Sequence, residues 1–195
     1  MFVSFEGLDG CGKTTQARLL AEALVAEGVE VVSTREPGGT PLGDQIRDLV
    51  LHGDHVTPWA EAALYVAARA QHVDQVIRPA LERGATVVCD RYLDTSVAYQ
   101  GAGRELGFDT ILELNLLAVD GLVPDRTVLV EIDVETALAR VGGKGDRIER
   151  AGDEFWPRVV DAYRSLAARF PERYVVVDGR RSIGEIAQEI RDRLR

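Results

Sequence analysis

The segment from Gly7 to Thr14 carries the clearest chemical pattern in the sequence. It reads GLDGCGKT and matches the P-loop pattern GxxxxGK[ST] in full. Its glycines let backbone N–H groups approach phosphate oxygens, and a helix that begins near Lys13 adds its positive end. The Lys13 ammonium can neutralise β- and γ-phosphates, and the Thr14 hydroxyl can bind Mg²⁺. The predicted triphosphate-binding residues are Gly7, Leu8, Asp9, Gly10, Cys11, Gly12, Lys13 and Thr14.

A second cluster of charge follows the third apolar run of the chain. That run, Val87-Val88-Cys89, leads directly into Asp90 and Arg91. In a parallel sheet the carboxyl ends of the strands meet at one edge, so both side chains are expected near the P-loop. There Asp90 could bind Mg²⁺ or its waters, and Arg91 could bind a second anion. No NKxD segment is present to recognise guanine, which argues against a GTPase but leaves motor ATPases and small-molecule kinases open.

Five apolar runs provide the elements that must position these residues. They occupy residues 2 to 5, 29 to 34, 85 to 90, 126 to 132 and 173 to 177. Nearly continuous apolar strands between helical patterns are typical of a parallel sheet that is buried on both faces. The pattern predicts a three-layer α/β P-loop NTPase fold, with a five-stranded parallel sheet flanked by helices, in a single domain over residues 1 to 195.

Helix ends and helix faces can also be read from the sequence. Gly28 and Gly84 stand just before apolar runs, where helices are expected to end. The apolar residues of the last helical segment keep helical spacing, so we expect them to face the core. They are Ile183, Ile186, Ala187, Ile190 and Leu194.

Composition excludes several classes of function. The formal net charge is -9 and the pI is near 4.9, which argues against general binding to nucleic acid or to an anionic membrane. No apolar run approaches the length of a membrane-spanning helix, and no signal peptide is recognisable, so we expect a cytoplasmic protein. The two cysteines give no disulfide framework, and the three histidines form no cluster for structural zinc.

The segment from Arg140 to Asp153 interrupts the α/β pattern. It reads RVGGKGDRIERAGD and contains three glycines within four residues. A solvated loop and a mobile lid that carries cations over a site both fit this composition.

Four segments taken together resemble thymidylate kinases of the bacterial kind. They are GLDGCGKTTQ, TREPGGT at 34 to 40, DRY at 90 to 92 and YQGAGR at 99 to 104, and the resemblance covers nearly the whole chain. It implies that ATP, with Mg²⁺ as cofactor, phosphorylates dTMP to dTDP in dTTP biosynthesis, and it favours a homodimer. Another nucleoside-monophosphate or deoxynucleoside kinase remains an alternative, as does a nucleotide-dependent switch without catalysis. The apolar residues from 59 to 76 and the helical segment ILELNLLAV fit either a dimer face or a core.

The resemblance also assigns the acceptor site to segments 34 to 40, 65 to 69 and 90 to 104. Arg35 and Arg91 would clamp the dTMP phosphate, because guanidinium groups suit a phosphate dianion. Tyr65, standing where the family usually has Phe, would stack on thymine, and Arg69 would donate to thymine O4. The remaining implied contacts are Asp9 to the sugar and to the clamp arginine, Tyr99 beneath the deoxyribose, and Thr95 or Gln100 near the base.

The resemblance also implies which residues supply catalytic charge. It implies catalytic roles for Lys13, Arg91 and Asp9 of this chain. Some family members also carry an arginine in the P-loop where this chain has Gly10, and others supply cations from a lid. With Gly10 present, the resemblance implies a lid at about residues 140 to 153 that supplies the charge. Lys144 is favoured and Arg147 comes next, ahead of Arg150, whereas Arg140 is expected to pack on adenine.

Overall fold

The sheet is the element on which the rest of the chain is built. The computed structural model describes residues 1–142 and 154–194. Five strands form one parallel sheet in the order β2-β3-β1-β4-β5. The strands are β1 (Phe2–Glu6), β2 (Val31–Arg35), β3 (Thr86–Asp90), β4 (Arg126–Glu131) and β5 (Tyr174–Asp178). The predicted strands are therefore confirmed, with ends displaced by two residues or fewer.

Helices flank this sheet, which confirms the three-layer α/β fold. The α-helices of the described residues are α1 (Lys13–Ala26), α2 (Pro41–His52), α3 (Pro58–His72), α4 (Arg78–Glu82), α5 (Leu93–Ser96), α6 (Phe108–Ala118), α7 (Val134–Val141), α8 (Phe155–Arg169) and α9 (Ile183–Leu194). Two π-helical segments, Val73–Ile77 and Val97–Gly103, extend α3 and α5. Such segments are rare and often occur at functional sites, and the second one contains two of the predicted acceptor residues. None of the helices in the described part of the chain combines the length and apolarity needed to cross a bilayer.

Strand register brings the chemical segments to one edge of the sheet. In the parallel pairing, Phe5 lies opposite Asp90, and Arg35 at the end of β2 also lies opposite Asp90. The P-loop leaves the sheet directly after β1, and Arg91 leaves it directly after β3. The expected proximity of these segments therefore follows from the order and register of three neighbouring strands.

The details of the helices agree with the sequence analysis except at one residue. Gly28 and Gly84 follow the ends of α1 and α4 with φ of +85° and +86°, a conformation that favours glycine. In α9, Ile186 and Ile190 are buried, but Ile183 is 59% exposed, so its assignment to the core was wrong. Ile183 is the first residue of the helix, and the buried stripe begins one turn later.

Candidate active site

The P-loop joins β1 to α1 through backbone conformations that glycine favours. Gly7, Gly10 and Gly12 have φ of +135°, +78° and +98°. At Gly7 an added Cβ would lie 2.5 Å from the carbonyl oxygen of Val130, so a side chain is also excluded by space. Gly12 immediately precedes α1, which begins at Lys13 as the pattern predicts. The loop therefore directs backbone N–H groups and a helix N-terminus to one point, as phosphate binding requires.

Lys13 is held by two oxygens of its own loop. Its side chain is buried, and Nζ donates to the Leu8 carbonyl at 3.2 Å and to Asp9 Oδ1 at 2.9 Å. Both partners leave part of the ammonium group available to a ligand, since Nζ carries three N–H donors.

Thr14 and Asp90 together have the chemistry of a magnesium site. The Thr14 hydroxyl donates to Asp90 Oδ2 at 2.5 Å, whereas Asp90 Oδ1 is buried without a hydrogen-bond partner among the described residues. An unpartnered buried carboxylate oxygen beside a hydroxyl suits a hard cation that prefers oxygen ligands. The described residues contain no group of three or more His, Cys, Asp or Glu side chains that could hold a metal. These two residues therefore fit Mg²⁺, which they would hold beside the P-loop.

Arg91 connects the P-loop with the acceptor segments. Its Nη2 donates to Asp9 Oδ1 at 2.6 Å and to the Tyr99 hydroxyl at 3.3 Å, and its Nη1 donates to Thr95 Oγ1 at 3.1 Å. Nη1 also donates to the carbonyl of Gly7 at 3.2 Å. Although burial alone would raise the pKa of Asp9, the charges of Arg91 and Lys13 lower it below its usual range. Asp9 is therefore an anion shared by two cations, one on each side of the site.

A cavity of about 70 Å³ lies beside Arg91. It brings together six residues that the sequence analysis assigned to an acceptor site: Asp9, Tyr65, Arg91, Thr95, Tyr99 and Gln100. Its other lining residues are Glu36, Pro37, Arg47 and Leu51. The cavity therefore has an aromatic wall, a cationic end and an amide, which together suit a planar polar base attached to an anion.

Gln100, which lines this cavity, has a buried acceptor without a partner among the described residues. Its Nε2 donates to Glu61 Oε1 at 2.9 Å, while its Oε1 is buried without a hydrogen-bond partner among the described residues. Glu61 also accepts from Arg104 at 3.3 Å, which keeps the carboxylate compensated. Because Glu61 takes the donor side of the amide, the free carbonyl oxygen suits a ligand that donates an N–H.

Arg69 does not line the cavity, in contrast to its expected contact with a base. It is 1% exposed, its Nε donates to Glu36 Oε2 at 2.6 Å, and its Nη2 donates to the Tyr92 carbonyl at 3.1 Å. Its Nη1 donates to Ser96 Oγ at 3.0 Å and to Asn115 Oδ1. These bonds use four of the five N–H groups of a guanidinium, so contact with thymine O4 stays a prediction that depends on the remaining Nη2 proton.

Arg35 lies in a different space from the other acceptor residues. It is exposed and lines a cleft of about 790 Å³, together with Thr14 and Asp90. The resemblance assigned Arg35 to the clamp for the acceptor phosphate. In the structure it lies on the side of Thr14 and Asp90, the predicted magnesium ligands.

Several residues at the site were missed by the sequence analysis. Glu36 is buried and accepts from Arg69 and from His72, whose Nδ1 lies 2.9 Å from Glu36 Oε1. Its place inside TREPGGT was the available signal. Arg47 and Leu51, one helical turn apart on α2, line the cavity without any motif that marks them.

The P-loop also contacts the helix that leads toward the predicted lid. An added Cβ on Gly10 would lie 2.7 Å from the Ala137 carbonyl oxygen, and Arg140 Nη1 donates to the Gly10 carbonyl at 3.3 Å. Arg140 also donates to the Gly179 carbonyl at 3.2 Å, so its packing on adenine stays a prediction. Most of the predicted lid lies outside the described residues, and with it Lys144, Arg147 and Arg150.

Comparisons with known proteins agree with this geometry. The sequence profile described as thymidylate kinase matches residues 5–190. A thymidylate kinase of Leifsonia xyli subsp. xyli is 55% identical over 199 residues, which cover 100% of this chain and 94% of that protein. One of Geobacter sp. strain M21 is 50% identical over 204 residues, covering 100% and 91%. The crystal structure of thymidylate kinase from Ehrlichia chaffeensis superposes with a TM-score of 0.83 and 34% identity, covering 100% and 98%.

Proposed function

Since this chain belongs to the thymidylate kinase family and phosphorylates dTMP to dTDP with ATP in dTTP synthesis, we propose that the cavity beside Arg91 binds dTMP and that the P-loop binds ATP. The observation that carries this assignment is the position of Arg91, which contacts Asp9 of the P-loop and also Thr95 and Tyr99 of the cavity. A cation held between the two spaces can contact the phosphate that is attacked and the phosphate that attacks.

The reaction needs no general base in this arrangement, because the acceptor is already a phosphate dianion. The barrier is the approach of two anions and the charge that spreads over the transferring phosphoryl group. Lys13 neutralises the donor oxygens, and Arg91 orients the acceptor phosphate for in-line attack. Arg35 would complete the clamp from the cleft that it lines with Thr14 and Asp90. Mg²⁺, held by Thr14 and Asp90, would neutralise oxygens of the triphosphate.

Thymine is selected by side chains that line the cavity. The Tyr65 ring stacks on the base, and the unpartnered Oε1 of Gln100 accepts the thymine N3–H. Tyr99 lies beneath the deoxyribose, where it crowds a 2′-hydroxyl. Asp9 accepts from the sugar while it retains the clamp arginine.

An ADP-release assay with dTMP, dUMP, dCMP, dGMP and thymidine tests this function. We expect the highest kcat/KM with dTMP. The value with dUMP should be lower because dUMP lacks the thymine methyl group, whose burial contributes about 1 kcal/mol to binding. Thymidine should be inactive as an acceptor because it lacks the phosphate that Arg91 holds. ATP hydrolysis that dTMP does not accelerate would contradict the proposal and favour a nucleotide-dependent switch.

The further catalytic charge is assigned to Lys144, with Arg147 next. With Gly10 at this position the P-loop has no cation besides Lys13, so the further charge must come from the predicted lid. Lys144→Ala should lower kcat far more than it raises the KM for dTMP, because the charge is needed most when the phosphoryl group is in transfer. An unchanged kcat would contradict this role, and Arg147→Ala is the matched comparison.

We also propose that the protein is a cytoplasmic homodimer. Apolar side chains are exposed on α3 and on the two helices that pack against it, α2 and α6: Leu42 and Leu49 on α2, Trp59 on α3 and Leu117 on α6. A second copy could cover this face, since the side chains lie on adjacent helices and are 44% to 80% exposed. Sedimentation at micromolar concentration tests the dimer, and a monomer would contradict it.

A further inference from the structure

Glu6 is a buried carboxylate that the proposed mechanism does not use. It is the last residue of β1, directly before the P-loop, and it is 0% exposed. Its Oε1 accepts from the Tyr92 backbone N–H at 2.8 Å, and its Oε2 accepts from the Thr95 hydroxyl at 2.5 Å and from the Tyr163 hydroxyl at 3.2 Å. Within residues 1–142 and 154–194 no Lys, Arg or His forms an ion pair with it. A buried carboxylate without such a pair is costly and calls for a reason.

The Thr95 and Tyr163 hydroxyls that donate to Glu6 also contact Arg91, the arginine proposed to clamp the phosphate. Arg91 Nη1 lies 3.1 Å from Thr95 Oγ1 and 3.5 Å from the Tyr163 hydroxyl oxygen, and these two oxygens are 3.1 Å apart. A hydroxyl has one hydrogen to donate. When Thr95 donates its hydrogen to Glu6, a lone pair of its oxygen is left to accept from Arg91.

We propose that Glu6 is a positioning residue for the phosphate clamp: its ionised carboxylate, acting through Thr95 and Tyr163, holds Arg91 in the orientation that receives the acceptor phosphate. This inference rests on the proposed function, because it requires Arg91 to bind dTMP. Glu6 itself touches neither substrate. Protonation of Glu6 turns an acceptor oxygen into a donor, so that the Thr95 hydroxyl reverses and its hydrogen faces the guanidinium.

The surroundings of Glu6 place this protonation near neutral pH. Burial raises the pKa of Glu6 to about 7, and the nearby charge of Asp94 also raises it, while the hydrogen bond from Thr95 and the charge of Arg91 act in the opposite direction. The ionisable groups that face it from the packed elements are Cys89 on β3, Arg91 after it, Asp94 on α5, Tyr163 on α8 and Tyr174 on β5. Asp94 is itself paired with Arg173 at 2.9 Å.

A positioning role and a structural role predict opposite effects on stability at pH 8. Because the folded pKa of Glu6 lies above its ordinary value of 4.5, the stabilising contribution of its proton is complete below about pH 4.5 and is lost as the pH rises through about 7. The ionised form that serves the clamp is therefore the less stable form. Glu6→Gln removes that charge, so its melting temperature at pH 8 should be unchanged or higher, whereas a stabilising carboxylate would give a lower one.

The test compares dTMP KM and kcat of wild type and Glu6→Gln across neutral pH. In wild type we expect kcat/KM for dTMP to fall about tenfold at one pH unit below the pKa of Glu6. In Glu6→Gln this fall in kcat/KM at low pH should be absent. The KM for dTMP should be raised about tenfold at pH 8, and the KM for ATP should be unchanged. The ionisation of the dTMP phosphate itself, near pH 6, should persist in both proteins.

Asp94→Asn is the matched control. It neutralises an equally buried carboxylate of the same cluster that bonds to Arg173 instead of to the clamp hydroxyls. Because the charge of Asp94 raises the pKa of Glu6, the loss of kcat/KM at low pH should persist in Asp94→Asn but move to lower pH. Tyr163→Phe keeps the ring in the core and removes one of the two hydroxyls, so its effect on the KM for dTMP should be less than additive with that of Glu6→Gln.

The outcomes separate this inference from the proposed function. The positioning role would be overturned if the wild type is an active dTMP kinase and Glu6→Gln keeps both the wild-type KM for dTMP and the fall in kcat/KM at low pH. If Glu6→Gln does not fold, a wild-type profile that is flat near pH 7, or a Tyr163→Phe variant with unchanged KM, would overturn it as well. Absence of any dTMP-dependent activity in wild type would instead contradict the proposed function.

Discussion

The donor and acceptor sides of the site are built in contrasting ways. The P-loop is one continuous segment, and the groups that we propose to bind phosphate are backbone N–H groups directed by glycine conformations and by the start of α1. The acceptor cavity is lined by residues from the P-loop, the loops after β2 and β3, α2, α3, α5 and the second π-helical segment. One side depends on local sequence, and the other depends on how distant elements pack.

The two sides also differ in how their polar groups are held. Donor groups such as Lys13 are fixed by oxygens within the same loop. Acceptor groups are fixed by one another across the fold, as when Glu61 on α3 orients Gln100 on the π-helical segment. Asp9 belongs to both arrangements, because it bonds to Lys13 and to Arg91.

The largest expected effect concerns the donor side. Lys13→Ala removes the charge that meets the transferring phosphoryl group, so kcat should fall about 10²- to 10³-fold. The KM for dTMP should change much less, since the cavity keeps its lining. Steady-state kinetics with both substrates varied will measure this. Arg18→Ala is the control, because Arg18 lies on the same helix, is exposed, and pairs with Glu22 in a contact of little energetic weight. A fall in kcat of less than tenfold would mean that the two sides are less distinct than described.

An intermediate effect is expected where the two sides meet. Asp9→Asn removes the anion between Lys13 and Arg91, and we expect kcat/KM to fall about 10- to 100-fold, with the KM values for ATP and dTMP both raised. Because its two cationic neighbours lower the pKa of Asp9 below its usual range, Asp9 stays ionised from pH 6 upward, and the loss should not depend on pH there. Asp109→Asn, at an exposed ion pair, is the control. A change confined to the KM for ATP would place Asp9 on the donor side alone.

The smallest expected effect concerns the acceptor side. Gln100→Ala removes the unpartnered carbonyl oxygen, and the KM for dTMP should rise about tenfold, which corresponds to about 1.4 kcal/mol for one buried hydrogen bond. The values of kcat and of the KM for ATP should change little. Gln188→Ala, on the exposed face of α9, is the control, and thermal melting of both variants checks that the fold is retained. An equal rise in the two KM values would show that the cavity is not specific to the acceptor.

The donor side and the sheet could be predicted from the sequence because their signals are local. A P-loop needs glycines at fixed positions in one segment, and each buried strand shows its apolar run directly. The register that sets Phe5 and Arg35 opposite Asp90 follows once the strand order is known.

The acceptor side was less accessible because its geometry depends on partners that are far apart in the chain. Arg69 has the residue type and spacing of a base contact, yet Glu36 and Asn115 enclose it, 33 positions before it and 46 positions after it. No periodicity or motif reveals which acceptors a buried arginine will find. Arg47 and the unpartnered oxygen of Gln100 likewise depend on packing that only the fold determines.

The contact between Gly10 and α7 constrains how this enzyme can change in evolution. A side chain at residue 10 would meet the carbonyl of Ala137 and the Cβ of Arg140, so α7 would have to move first. Substitution of Gly10 alone therefore cannot place a second cation beside Lys13 in the P-loop. Residue 10 and α7 must change together, and we expect relatives with a large residue at this position to differ also at the positions of Ala137 and Arg140.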